Sequence, residues 1–213
     1  MKELTSTRHR TLTNEKRFLS LPVINHHGGL VIKYLFSIKE TLDLSLYEYR
    51  RVYVQRVDLR YPKFYLNYNG CTITRFIESL KSKIKNDLRR KGKIGECNMR
   101  YVWVKEQNTS VLPHYHLALF FNRDIYYCPG NYQHDYGNLS SMIKEAWASA
   151  LGLDCFEVNT SIHFPENSIY YVSKSSANFL DEYKACFYRL SYLAKVDTKV
   201  YASGLKNFST SRK

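Results

Sequence analysis

Three side chains in one short stretch are of the types that hold a divalent cation. His114 and His116 stand two positions apart in HYHLALFFN, and Glu106 closes the preceding run YVWVKE. Side chains two apart in a strand point to the same face, so the two imidazoles project side by side with Tyr115 on the opposite face. If residues 107–112 make the turn of a hairpin, Glu106 lies beside the histidines on the neighbouring strand. Two imidazoles and a carboxylate on one sheet face can bind a divalent ion and leave positions open for substrate oxygens. His-x-His by itself is more often the mark of two half-buried polar residues than of a metal site. Glu106 supplies the third member that a ligand set needs.

A second pattern suits a nucleophile. Tyr192 and Lys195, in SYLAKVDTK, are spaced i, i+3 and share one face of a helix. A free phenol titrates near ~10 and attacks weakly until its proton is removed or its oxyanion is stabilised, which a neighbouring ammonium assists. Tyr-x-x-Lys is a short pattern, met also in ordinary amphipathic helices where the tyrosine packs and the lysine is solvated. A rival copy, Tyr171 and Lys174, stands in YYVSKS.

The elements that must carry these residues follow from periodicity. Residues 1–29 are polar and basic and read as a flexible arm. Leu30, Val31, Tyr34, Leu35, Ile38, Leu42 and Leu46 repeat at three and four and predict a helix over 30–49. In 51–61, Val52 and Val54, then Val57 and Leu59, alternate with a change of phase between them, which predicts a long strand ended by Pro62. Ile73, Phe76, Ile77, Leu80, Ile84 and Leu88 form one stripe of a helix over 72–92, with basic residues crowding its other face and Gly92 as its stop. After the central hairpin, 123–139 reads as a long loop that includes His134. A helix follows over 140–151 with Ser140 or Ser141 as its cap, then a strand over 155–164, a last helix over 177–196 and a polar tail. A mixed order of this kind implies an α+β fold, a mainly antiparallel central sheet backed by helices. The division expected is a basic arm and helix over 1–49 and one functional domain over 50–213.

The totals narrow the partners. The chain has 213 residues, with 32 Lys and Arg against 19 Asp and Glu, a net charge of +13, which points to a polyanion and most simply to nucleic acid. Thirty aromatic rings of Tyr and Phe, 19 and 11, offer stacking faces beyond those a core absorbs. Five cysteines without a C-x-x-C pair argue against a disulfide frame or zinc ribbon and for a reducing, cytoplasmic setting. No apolar run approaches the ~20 residues of a membrane span, so no membrane partner is expected. No G-x-x-x-x-G-K-S/T loop is present, which excludes a P-loop motor.

A His-hydrophobic-His strand, a carboxylate on the strand before it and a later Tyr-x-x-Lys together resemble the HUH endonucleases of rolling-circle replication. More closely, RVDLRYP, HYHLALFFN, IHFPENS and YRLSYLAKVDTKVY are similar to the YagK/YfjJ C-terminal family, which includes inovirus-type replication proteins; the resemblance covers roughly 50–212. It implies that Glu106, His114 and His116 bind Mg²⁺ or Mn²⁺, and that Tyr192 attacks a scissile phosphate of single-stranded DNA or a DNA hairpin at an origin. A 5′-phosphotyrosine and a free 3′-hydroxyl would result, with Lys195 stabilising charge and a host helicase and polymerase as partners. Tyr192 is preferred to Tyr171 because SYLAK with Thr198, Lys199 and NFSTSR resembles the replication-protein ending. Asp58 is expected to support the site rather than bind the ion. The competing expectations are a non-cleaving origin- or operator-binding protein of the same fold, and a water-using metallonuclease in which Tyr192 is structural.

Overall fold

The change of phase in 51–61 is not a change of register. In the computed structural model, β1 (Arg51–Arg60) runs without interruption, and its pairing with β3 (His114–Asn122) keeps one register from Val52 opposite Asn122 to Arg60 opposite His114. Odd positions Tyr53, Val57 and Leu59 face one core, and even positions Val52 and Val54 face another. The even row then continues as Arg56 and Asp58, so the apolar pattern vanishes there because that face becomes polar. The structure describes residues 11–63, 65–92, 97–107, 112–132, 136–196 and 206–211. The first ten residues of the expected arm, the centre of the hairpin connection, His134, Thr198 and Lys199 lie outside the described residues.

Among the described residues the main sheet has six strands, all paired antiparallel. β3 lies between β1 and β2 (Arg100–Glu106); β1 carries β4 (Ile162–His163) and β5 (Ile169–Ser173) on its other edge; β6 (Phe208–Thr210) closes the far edge against β2. Helices α2 (Thr72–Arg90) and α3 (Leu139–Leu151) cover the face of Tyr53, Trp103, Tyr115 and Leu117. Helices α1 (Ile32–Glu48) and α4 (Phe179–Leu190) cover the face of Val52, Val102, Val104 and Phe120. The architecture is therefore α+β, an antiparallel sheet with helices on both faces. Among the described residues no helix is long and apolar enough to cross a membrane.

All six apolar residues of the predicted stripe in α2 are buried. Other elements depart from the periodicity. The strand expected over 155–164 is mostly a 3-10 turn, Cys155–Ser161, with only Ile162 and His163 extended. Asp154 and Glu157 start that turn, the backbone N–H of Asp154 donating to Glu157 Oε2 at 2.8 Å. The β-branched residues after them favour a strand only by propensity, which local capping overrides here. The cap of α3 is Asn138, whose side chain accepts from the Ser141 N–H at 2.8 Å, rather than either serine. The last helix ends at Leu190 and continues as a 3-10 turn, Ser191–Ala194. β5 and β6 were not legible as strands, being short edge segments. β6 is held by its ladder to β2 and by Phe208 stacking on Tyr34, ring centres 4.0 Å apart.

From residue 11 onward the N-terminal segment is packed rather than free. Leu12–Thr13 pairs with Leu30–Val31, and Phe18 and Val23 are buried in the same core as α1 and α4.

Candidate metal centre

Glu106, His114 and His116 leave one sheet face where β2 stops and β3 starts. The ladder pairs Glu106 with His114 and Val104 with His116, so alternation puts all three on the face of α1 and α4. The Nε2 atoms of His114 and His116 are 3.1 Å apart. Glu106 Oε2 lies 3.3 Å from His116 Nε2 and 3.9 Å from His114 Nε2. Neighbouring donors held at about 2.1 Å from one octahedral ion are roughly 3 Å apart, so one cation can span this triangle. Two neutral imidazoles and a carboxylate, all from one side, suit a divalent metal and leave its other side open. The group can therefore hold a metal ion, and its residues do not fix which one.

His116 is aimed by Asp58. Its Nδ1 is 2.6 Å from Asp58 Oδ1, the residue opposite it on β1. With the proton on Nδ1 donated to Asp58, the Nε2 lone pair faces Glu106 and His114. Burial disfavours a charge on His116, but its hydrogen bonds to Asp58 and Glu106 outweigh that and raise its pKa. Burial, then the neighbouring His116, lowers the pKa of His114. Burial pushes Asp58 upward, but the hydrogen bond and charge of His116, with Arg56, hold its carboxyl below the ordinary range. His163, opposite Asp58 on β4, has its Nδ1 3.7 Å from Asp58 Oδ2.

Tyr192 and Lys195 arrive over this face from the 3-10 turn. Three residues per turn place i and i+3 one above the other, and Lys195 Nζ donates to Tyr192 Oη at 2.7 Å. The same ammonium is 3.2 Å from Glu106 Oε2. The Tyr192 ring stands edge-on to His116, centres 5.8 Å apart, with the Arg56 guanidinium 5.4 Å from its centre. Burial opposes the charge of Lys195, but the hydrogen bond to Tyr192 and the carboxylate of Glu106 raise its pKa and keep it a cation.

The N-terminal segment fixes the turn. The Ile24 N–H donates to Ser191 Oγ at 2.9 Å, Leu30 bridges Lys195, and the Val196 N–H donates to Gly29 O at 3.2 Å. Gly29 has φ +79°, and a Cβ there would lie 2.8 Å from Asn14 Oδ1. Gly29→Ala is expected to cost about 1–3 kcal/mol and to lower the melting temperature by roughly 2–10 °C. An unchanged melting temperature would show that Gly29 is not strained into this role.

The structure does not bring Tyr171 and Lys174 to the centre. Tyr171 lies opposite Tyr53 on β5 and so faces the α2 and α3 side. Its hydroxyl donates to Tyr127 O at 2.7 Å, its ring lies 4.2 Å from the Arg123 guanidinium, and Lys174 is exposed. Sequence reasoning passes over Arg56, His163 and the 24–31 clamp. The charged row replacing valines at Arg56 and Asp58 was the available signal for Arg56, and the stretch IHFPENS for His163; no motif marks the clamp.

The family described as YagK/YfjJ C-terminal domain matches residues 13–211. The uncharacterized protein YagK of Escherichia coli (strain K12) is 37% identical over 199 residues, 87% of this chain and 95% of that protein. The uncharacterized protein YfjJ of the same organism is 34% identical over 200 residues, 87% of this chain and 96% of that protein. No solved structure matches the chain.

Proposed function

The chain belongs to the YagK/YfjJ C-terminal domain family, and we propose that it is an endonuclease that nicks single-stranded DNA, or a DNA hairpin, at an origin of rolling-circle replication. The observation that carries this reading is the 2.7 Å contact of Lys195 Nζ with Tyr192 Oη, made by the same ammonium that lies 3.2 Å from Glu106 of the metal-capable group. A phenol is thereby poised beside a point where a phosphate oxygen can meet a cation.

Glu106, His114 and His116 would hold Mg²⁺ or Mn²⁺, which when bound polarises the scissile phosphate. Tyr192 Oη attacks phosphorus and the P–O3′ bond breaks. The phenol proton leaves to solvent, and the departing 3′-oxygen takes a proton from water. The products are a 5′-phosphotyrosine and a strand ending in a 3′-hydroxyl, which a host polymerase extends as a host helicase opens the duplex. Lys195 stabilises the phenolate as it forms, and Asp58 keeps His116 in the tautomer that faces the centre. The net charge of +13 favours a nucleic-acid substrate.

The test is incubation with single-stranded DNA and Mn²⁺ followed by a denaturing gel. A covalent protein–DNA adduct is expected that disappears in Tyr192→Phe and persists in Tyr171→Phe. The reverse pattern moves the nucleophile to Tyr171. Cleavage without an adduct makes water the nucleophile, and binding without cleavage makes the protein a recognition module.

A further inference from the structure

Arg56 is 2% exposed, yet among the described residues its charged partner is Asp58 alone, whose Oδ1 is 3.9 Å from a terminal guanidinium nitrogen. That distance is beyond a hydrogen bond, and the same oxygen already takes His116 at 2.6 Å. Arg56 Nε is buried with no acceptor among the described residues. A guanidinium carries five N–H donors, and burying them unused is costly unless something supplies acceptors. A purely structural buried arginine is instead expected to be tied to carboxylates or carbonyls.

A second guanidinium meets the same segment that Arg56 holds through its backbone N–H, which donates to Ser168 O at 2.7 Å. Arg189, in the last turn of α4, gives one hydrogen bond, to Glu166 O at 3.3 Å, and its own Nε is buried without an acceptor among the described residues. Burial pulls Arg56 below its ordinary value; Asp58 opposes this, and the charge of Arg189 adds to it. A like charge nearby disfavours the charged form of each group, and an anion bound between them relieves that. Between β4 and β5 the edge opens: His163 pairs with Asp58 and Ile169 with Gln55, Ser168 O still accepts from the Arg56 N–H, and 164–167 leave the ladder beside Arg56.

We propose that Arg56 and Arg189 form a pocket for a phosphodiester group of single-stranded DNA, next to Tyr192 and separate from the Glu106–His114–His116 point. The proposal rests on the reading of DNA as the substrate. The pocket takes the phosphate neighbouring the one that Tyr192 attacks, and so fixes how the strand lies across the phenol. Two parallel N–H donors from each arginine match phosphate oxygens bidentately, which a lysine does not do.

The experiment uses full-length protein in EDTA, so neither metal nor cleavage enters it. Inorganic phosphate should raise the melting temperature of the wild type saturably. Arg56→Met should bind phosphate at least about tenfold more weakly, and Arg189→Met should also weaken it. In phosphate-free buffer Arg56→Met should melt at or above the wild type, because an under-partnered buried charge is gone. Melting several degrees below it would make Arg56 a structural ion-pair partner and overturn the proposal. Undiminished phosphate binding in both variants would overturn it too. A short oligothymidylate separates the phosphate sources: its affinity should fall about tenfold in Arg56→Met, and only a few-fold when the exposed Lys85 of α2 becomes alanine. Equal losses, or none in Arg56→Met, would leave a site for free phosphate and sink the DNA assignment. Failure of adduct formation in the Mn²⁺ assay bears on Tyr192 and leaves these outcomes as they are.

Discussion

His116→Ala is expected to abolish manganese-dependent stabilisation and adduct formation together, while affinity for single-stranded DNA in EDTA changes by no more than about threefold. An ion present at about a hundred times its dissociation constant stabilises the folded state by about 2.7 kcal/mol, which for a chain of this size is roughly 5–10 °C of melting temperature. His116 is the best-oriented of the three donors, being the one whose other nitrogen is held by a carboxylate at 2.6 Å. Its removal leaves Glu106 and His114, whose donor atoms are 3.9 Å apart. It also leaves Lys195 paired with that carboxylate, 3.2 Å from Glu106 Oε2. A fixed ammonium then competes with the incoming ion, so little residual affinity is expected. DNA binding without metal draws on phosphate contacts spread over a chain with 32 Lys and Arg, and one imidazole contributes little to it. Thermal melts with and without Mn²⁺, with fluorescence anisotropy in EDTA, decide the matter. Manganese stabilisation retained in His116→Ala would mean that the ligand set is wrong. Loss of DNA affinity with a native circular dichroism spectrum would make the cluster a DNA contact.

The convergence of Glu106 with the two histidines is legible in the chain because it needs only two regularities. Alternation puts His114 and His116 on one face, and a short hairpin fixes which residue of the preceding strand lies opposite. The Glu106–His114 pairing follows from both. The α+β layering is legible for a similar reason, since α2 and β3 have apolar patterns long enough to state their period. Three features resist such reading. The Tyr192 segment changes from α to 3-10 geometry at Ser191, and i, i+3 spacing fits either helix. Its position depends on Ile24, Gly29 and Leu30, more than 160 residues earlier, through contacts that carry no periodic signal (Ile24 to Ser191 spans 167 positions). The short edge strands β5 and β6 get their extended conformation from the neighbour they pair with, which local propensity does not reveal. Arg56 is hidden differently. It stands where a valine would continue an alternating run, and it reads as a change of phase in the long strand until the register shows that there is none.

Asp58→Asn is expected to weaken metal binding 10–100-fold, about 1.4–2.7 kcal/mol, with the fold retained. Asparagine keeps the shape of the side chain but not its charge. It holds the Nδ1 proton of His116 less firmly, and its amide can turn to present an N–H, which would put the imidazole in the tautomer whose proton sits on the metal side. Asp58 is also the carboxylate nearest to Arg56, at 3.9 Å. Removing its charge leaves a guanidinium that is 2% exposed without a counter-charge, so the metal-free variant should melt lower than the wild type by several degrees. The two consequences are separable. Adding Arg56→Met to Asp58→Asn removes the stranded charge and should restore the metal-free melting temperature, while metal affinity stays at the level of Asp58→Asn alone. The non-additivity in stability, with additivity in metal affinity, is what two roles for one carboxylate require. If Asp58→Asn binds manganese as tightly as the wild type, the aspartate does not orient His116. If the double variant recovers metal affinity along with stability, the loss came from Arg56 repelling the ion.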